Sequence, residues 1–178
     1  MQASLEIIQL GNPLLRVPAE ALSTTQINVT LPLLASLEQI MLSHQGVGIA
    51  APQVGESLRA FIVASRPNDR YPHAPLMEPT IMINPELLWH SDLMEKDWEG
   101  CLSIPGIRAK INRYTHIRVS YLNVLGDVIE TEFTDFIARI FQHELDHLNG
   151  IVFLDRADKL DVATETEYRK VIGQMNKI

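Results

Sequence analysis

His143-Glu144-Leu145-Asp146-His147 places two metal-binding side chains and a carboxylate within a single short segment. On an α-helix, positions four apart lie one turn apart on the same face, so His143 and His147 can offer two imidazoles to one ion. Glu144 sits about 100° round from His143, within reach of a water on that ion. Two ligands do not complete a site, so its weight depends on a third. Cys101 is the sole cysteine of the chain and has no intramolecular disulfide partner. One thiolate, two imidazoles and one open position make a tetrahedral site of the catalytic type. A closed structural site needs a fourth protein ligand, and no second cysteine exists to supply it. The competing readings of Cys101 are a small buried hydrophobe and the nucleophile of a Cys–His enzyme. An ion between two histidines would instead capture the thiolate as a ligand.

Gly46-Val47-Gly48-Ile49-Ala50-Ala51-Pro52-Gln53 is small, apolar and punctuated by glycine, and ends in a neutral amide. Taken together, G-V-G-I-A-A-P-Q, E-G-C-L-S at 99–103 and Q-H-E-L-D-H at 142–147 resemble the three signature motifs of the peptide deformylase family, in that family's order. Leu10-Gly11-Asn12-Pro13-Leu14-Leu15-Arg16 is similar to the family's opening segment. The likeness spans roughly residues 5 to 155.

The resemblance implies a metal-dependent hydrolase that removes the N-formyl group from the initiator methionine of new peptides. It implies that Cys101, His143 and His147 ligate the metal and that Glu144 moves protons. It also implies that the Gln53 side chain and the Leu102 backbone N–H stabilise an oxyanion. Fe²⁺ is the implied native ion, with Zn²⁺ a common occupant; thiolate and imidazole donors also suit Ni²⁺ and Co²⁺. For the substrate, Gly48 and Gly100 are expected to face the peptide. Val47, Ile140, the methylene stem of Arg139 and His143 are expected to wall a methionine pocket. Arg108 is either a ligand for substrate carbonyls or a solvated surface group. Glu99 and Asp146 are both candidates to orient the histidines.

Two readings compete. An H-E-x-x-H endopeptidase ordinarily takes a third ligand downstream, and no histidine follows His147. A degenerate homologue acting as a binding module would have lost a catalytic residue, and none of those named is missing.

The whole chain agrees with an ordinary globular enzyme. Its 178 residues are 46% hydrophobic and 21% charged, enough to bury one core, so a single domain over 1–178 is expected. A net charge of −7 and a pI near 5.3 argue against direct nucleic-acid recognition, which needs a basic stripe. Any contact with the ribosome would be transient and would use a local patch. No basic n-region opens the sequence and no apolar run reaches membrane length. With a lone cysteine suited to a reducing compartment, the expectation is a cytoplasmic monomer working on N-formylmethionyl nascent peptides.

The elements that must position these residues read as α+β: antiparallel β-sheets packed around a central helix carrying the H-E-x-x-H. A first helix is predicted at 30–45, opened by Thr30 and Pro32 and ended by Gly46. A strand follows at 59–64 and a polar, proline-rich loop at 65–79. Short strands are predicted at 80–83 and 86–89, broken at Asn84-Pro85. Alternation predicts a hairpin of 115–123 with 127–134 around Gly126. The metal helix runs over 135–148 and stops at Asn149-Gly150, and a last amphipathic helix is expected at about 161–175.

Overall fold

Strand alternation and helical stripes sort the apolar residues into layers. A computed structural model of the chain describes residues 5–68 and 71–175; residues 69 and 70 of the expected loop, and both extreme termini, lie outside the described residues. The order is α1 (Thr24–Ser43), β1 (Gly48–Ala50), β2 (Ala60–Ser65), β3 (Met77–His90), β4 (Met94–Cys101) and β5 (Ile104–Tyr114). Then come β6 (His116–Leu122), β7 (Val128–Thr134), α2 (Asp135–Leu148), β8 (Val162–Thr164) and α3 (Glu165–Met175), with short 3₁₀ turns between. The strands form two antiparallel sheets, β1-β2-β3-β6-β7 and β4-β5-β8. The α+β expectation holds.

β2 is buried along its whole length. Phe61 and Val63 join the cluster with Ala138, Phe141 and Leu148 of α2, while Ala60, Ile62 and Ala64 join Leu34, Leu37 and Met41 of α1. Helices therefore cover both faces of the larger sheet, which explains an apolar run without alternation. Phe61 and Phe141 meet edge to face at 5.2 Å, a favoured aromatic geometry. A third, smaller cluster joins Ile104, Ala109 and Ile111 of β5 to Val152 and Phe153.

α2 lies between the sheets because it carries two stripes. Ala138, Phe141 and Leu148 pack on the larger sheet. Arg139, Gln142, His143 and Asp146 reach residues of β4 and β5 by hydrogen bonds. Its end follows the prediction: Gly150 is left-handed, with φ 73°. The N–H groups of Ile151 and Gly150 reach the carbonyls of Asp146 and His147. This closes the helix with a Schellman motif.

Several expected boundaries are corrected. α1 begins at Thr24, not residue 30. Its N-cap is Ser23, whose N–H is accepted by the Gln26 side chain at 2.8 Å, the S-x-x-Q pattern of a helix start. Thr30 and Pro32 are interior to the helix. α1 ends at Ser43, and the left-handed residue that follows its C-cap His44 is Gln45, with φ 53°, rather than Gly46. The expected strands at 80–83 and 86–89 are one strand, β3, passing through a bulge where Asn84 takes φ 48°. β3 begins at Met77, so it also absorbs the end of the expected loop. α3 begins at Glu165, not 161, because Val162–Thr164 pairs with β5 as β8. β4 and β5 are absent from the sequence expectation. β4 reads Met-Glu-Lys-Asp-Trp-Glu-Gly-Cys and exposes its first four residues, so it lacks the apolar pattern of a half-buried strand. The 115–123/127–134 hairpin is as expected, with Ile117 opposite Phe133 and Val119 opposite Thr131.

Candidate active site and metal centre

Two elements converge on one point. Cys101 ends β4, where the pairing with β5 shifts register between Glu99 and Cys101. His143 and His147 stand one turn apart on α2. Each of the three offers one ligand atom, and these atoms lie within 4.8 Å of one another. The Cys101 Sγ is 3.2 Å from His147 Nε2. A thiolate and two imidazoles gathered in this way fit a divalent transition metal with an open coordination position.

The ring of His143 is oriented from behind. Its Nδ1 lies 2.9 Å from Glu99 Oε2, which leaves Nε2 as the ligand atom. Glu99, and not Asp146, therefore does this work. Glu99 also accepts Arg113 at 2.9 and 3.0 Å and Arg139 at 3.0 Å. Asp146 is buried as well, held at 2.6 Å by both Arg113 and Arg156. His147 Nδ1 is buried with no hydrogen-bond partner among the described residues.

These neighbours separate the ionisable groups. Burial opposes the charge of Glu99, but the Arg113 guanidinium and the His143 ring outweigh it and hold its carboxyl far below the usual range. Burial also opposes the charge on both imidazoles. At His143 the Cys101 sulfur and Glu99 overcome it and raise the pKa well above the ordinary value. At His147 the neighbouring His143 adds to burial and the pKa falls well below it. Glu144 makes no ion pair with a guanidinium among the described residues, and the pull of His143 and Arg113 on it is outweighed. Its burial pushes the carboxyl up to about 7, and Oε2 has no partner among the described residues.

Glu144 faces a cavity walled by the 45–48 segment, the end of β4 and the start of α2. Gln53 lines it with a fixed amide. Its Oε1 accepts the Ala50 N–H at 2.8 Å, and its Nε2 donates to Ser103 Oγ at 3.2 Å and to Cys101 Sγ at 3.4 Å. Gly48 is required by contact: a Cβ built there would lie 2.8 Å from the Glu144 carboxyl carbon. Val47, Gly100, Leu102, Arg108, Arg139 and Ile140 also line the cavity, so every residue singled out from the sequence is at the site or beside it. His147 is 1% exposed and lies deeper, behind the lining.

The polypeptide deformylase family model matches residues 4–163. The chain belongs to the polypeptide deformylase family. Peptide deformylases are metal-dependent hydrolases that remove the formyl group from N-terminal methionine. The chain is 49% identical to peptide deformylase 2 of Nostoc sp. over 174 residues, 97% of each chain. It is also 49% identical to peptide deformylase 2 of Shewanella oneidensis over 154 residues, 86% of this chain and 84% of that one. The class I type b deformylase of Acinetobacter baumannii, solved with Met-Ala-Ser bound, superposes with a TM-score of 0.84 at 46% identity, covering 88% of this chain and 99% of that one.

Some residues of the cavity wall are absent from the sequence expectation. Phe136 lies four residues before Ile140 on α2 and lines the cavity with it; that helical spacing was an available signal. Tyr71 and Gln45 also line the cavity. Tyr71 comes from the 65–79 loop, and nothing in the local pattern of that loop marks it. Arg108 is not the solvated surface group offered as its alternative reading, being 3% exposed.

Proposed function

We propose that this deformylase hydrolyses the formamide at the N-terminus of N-formylmethionyl nascent peptides, releasing formate. The observation that carries the reading is the Cys101–His143–His147 cluster with Glu144 beside it and the Gln53 amide donating toward the same sulfur. Cys101, His143 and His147 would hold one divalent ion. When bound, that ion supplies Lewis acidity and a water of lowered pKa. Fe²⁺ is the proposed native ion, with Zn²⁺, Ni²⁺ or Co²⁺ as alternative occupants.

The remaining work falls to the chain's own groups. Glu144 takes the proton of the water as its oxygen attacks the formyl carbon. Gln53 Nε2 and the Leu102 N–H donate to the oxygen on which charge develops, which preorganised neutral donors do without reorganisation. Glu144 then delivers its proton to the departing α-amine as the C–N bond breaks. A carboxyl poised near neutral pH suits both halves of that transfer. Val47, Ile140, the Arg139 stem and the His143 edge wall the methionine side chain, with Phe136 added to them. Gly48 and Gly100 leave backbone open to an extended peptide, and Arg108 meets the peptide further along.

The same reading has one domain over residues 1–178 working as a monomer in the cytoplasm, in transient contact with the ribosome. A single thiolate ligand suits a reducing compartment. A net charge of −7 suits a protein that does not grip nucleic acid. Among the described residues no helix is long and apolar enough to cross a membrane.

The test compares formyl-Met-Ala-Ser, acetyl-Met-Ala-Ser and formyl-Asp-Ala-Ser with anaerobically prepared, metal-loaded protein. The expected result is fast turnover of the first alone. The extra methyl of acetyl would crowd Gly48 and Leu102, and a charged side chain would enter an apolar pocket. Comparable rates on all three would sink the assignment, and cleavage of an internal bond would favour an endopeptidase.

A further inference from the structure

The family match ends at residue 163, two residues before α3 begins at Glu165. Yet α3 holds a residue of the cavity wall. Arg108 is buried where two spaces meet: the cavity lined by Cys101 and Glu144, and an outer groove that continues along Leu102 and Pro105 to Arg169. Its Nε donates to Glu165 Oε2 at 2.5 Å and its Nη1 to the Tyr71 hydroxyl at 3.1 Å. Its Cζ lies 5.0 Å from the centre of the Tyr168 ring and 5.9 Å from that of Tyr71. The other Glu165 oxygen accepts Arg169 Nε at 3.1 Å. The guanidinium in turn lies against the backbone of Gly100, where a Cβ would come within 2.6 Å of Arg108 Cζ.

We infer that α3 is part of the substrate-binding apparatus: Glu165 and Tyr168 hold the Arg108 guanidinium over Gly100, at the passage where a peptide leaves the metal-side cavity for the outer groove. The inference rests on the deformylase reading. A planar guanidinium presents donors that match peptide carbonyls. A long side chain already fixed by a carboxylate and two rings loses little freedom when the peptide arrives. Glu165 and Tyr168 are positioning residues; they act on the substrate only through Arg108. The contact serves residues after the first, because the methionine itself lies on the Ile140 side of the cavity.

The test is the preference for a longer peptide. In Glu165→Gln, the dissociation constant of Met-Ala-Ser, measured by calorimetry, should rise about fivefold, the size of one ordinary net hydrogen bond, while that of free methionine holds. The kcat/KM ratio of formyl-Met-Ala-Ser over formyl-Met should fall by about the same factor. Glu167→Gln, which removes an equal charge from the Lys170 pair on the same helix, should leave both ratios as they are. An unchanged ratio in Glu165→Gln, or equal weakening of methionine and Met-Ala-Ser, overturns the inference. Should that variant fail to fold, Tyr168→Leu decides by the same two ratios. A wild-type protein that turns over neither formyl substrate overturns the deformylase reading, and this inference with it.

Discussion

Glu99 and Glu144 are two carboxylates buried to nearly the same degree, 4% and 3% exposed, beside the same histidine, and they are pushed in opposite directions. The region behind His143 surrounds Glu99 with Arg113, Arg139 and the imidazole, so the charge is stabilised and fixed. In front, where Gly48 and the cavity meet Glu144, burial outweighs the more distant pull of His143 and Arg113, neither of which pairs with this carboxylate among the described residues, and the proton is held near neutral pH. Burial alone does not decide a carboxylate's role; the partners within hydrogen-bond reach do. One carboxylate is built to stay put as an anion and the other to exchange a proton.

The largest separation of the two should appear in turnover. Glu144→Gln should lower kcat by about 10²–10⁴-fold, the range for a positioned general acid–base, with metal content by elemental analysis unchanged. Loss of the metal in that variant would make Glu144 a ligand and collapse the contrast with Glu99.

Glu99→Gln should instead act on the fold. It leaves the buried Arg139 and half of the Arg113 fork without a counter-charge. Breaking a buried pair from one side costs about 3–5 kcal/mol. Thermal unfolding should drop by roughly 10 °C for a domain of this size, and metal affinity should weaken as His143 loses its acceptor. An unchanged melting temperature would mean that Asp146 alone suffices for Arg113.

Gly48→Ala sharpens the picture on the open side. The added methyl collides with the Glu144 carboxyl and displaces it. Misplacement by about 1 Å costs ten- to a hundredfold in rate, again with metal retained. Wild-type turnover in this variant would show that the Glu144 position tolerates movement.

The last contrast is one of pH, read on chelator-stripped protein. The folded Glu144 pKa of about 7 lies above the ordinary carboxylate value of about 4.5, so folding favours the protonated form. Below pH 4.5 both states hold the proton and nothing is lost. As pH rises from 4.5 to 7 the unfolded chain ionises first and stability falls, levelling off above 7. Glu144→Gln lacks that fall, so its unfolding free energy should gain on that of the wild type across this window by an amount on the order of 3 kcal/mol, read as a rising difference in melting temperature. Glu99 works the other way, its contribution being lost as pH drops below the ordinary carboxylate range. It is present in both proteins and cancels. Parallel curves across the window would remove the burial argument for Glu144.

Local periodicities were legible from the residues. The i, i+4 spacing of His143 and His147, the Asn149-Gly150 stop and the alternation of β6 and β7 depend on backbone geometry over a few residues, and a chain of this sequence adopts them in place. The start of α1 was also legible, in Ser23 and Gln26, although the apolar period and Pro32 drew the expected boundary inward. β4 and β5 were not, because their inward positions include Glu99, Arg108 and Arg113. Charged residues count as inward only once their partners are known.

The sequence by itself determined the chemistry on offer: one thiolate, two imidazoles a turn apart, a carboxylate between them and a neutral amide after Pro52. Tertiary structure decided which groups control that chemistry. The choice of Glu99 over Asp146 behind His143 joins positions 44 apart, and the grip of Glu165 on Arg108 joins positions 57 apart. Pairings at such separations are set by which surfaces the two sheets and α2 bring together. No local backbone preference encodes them.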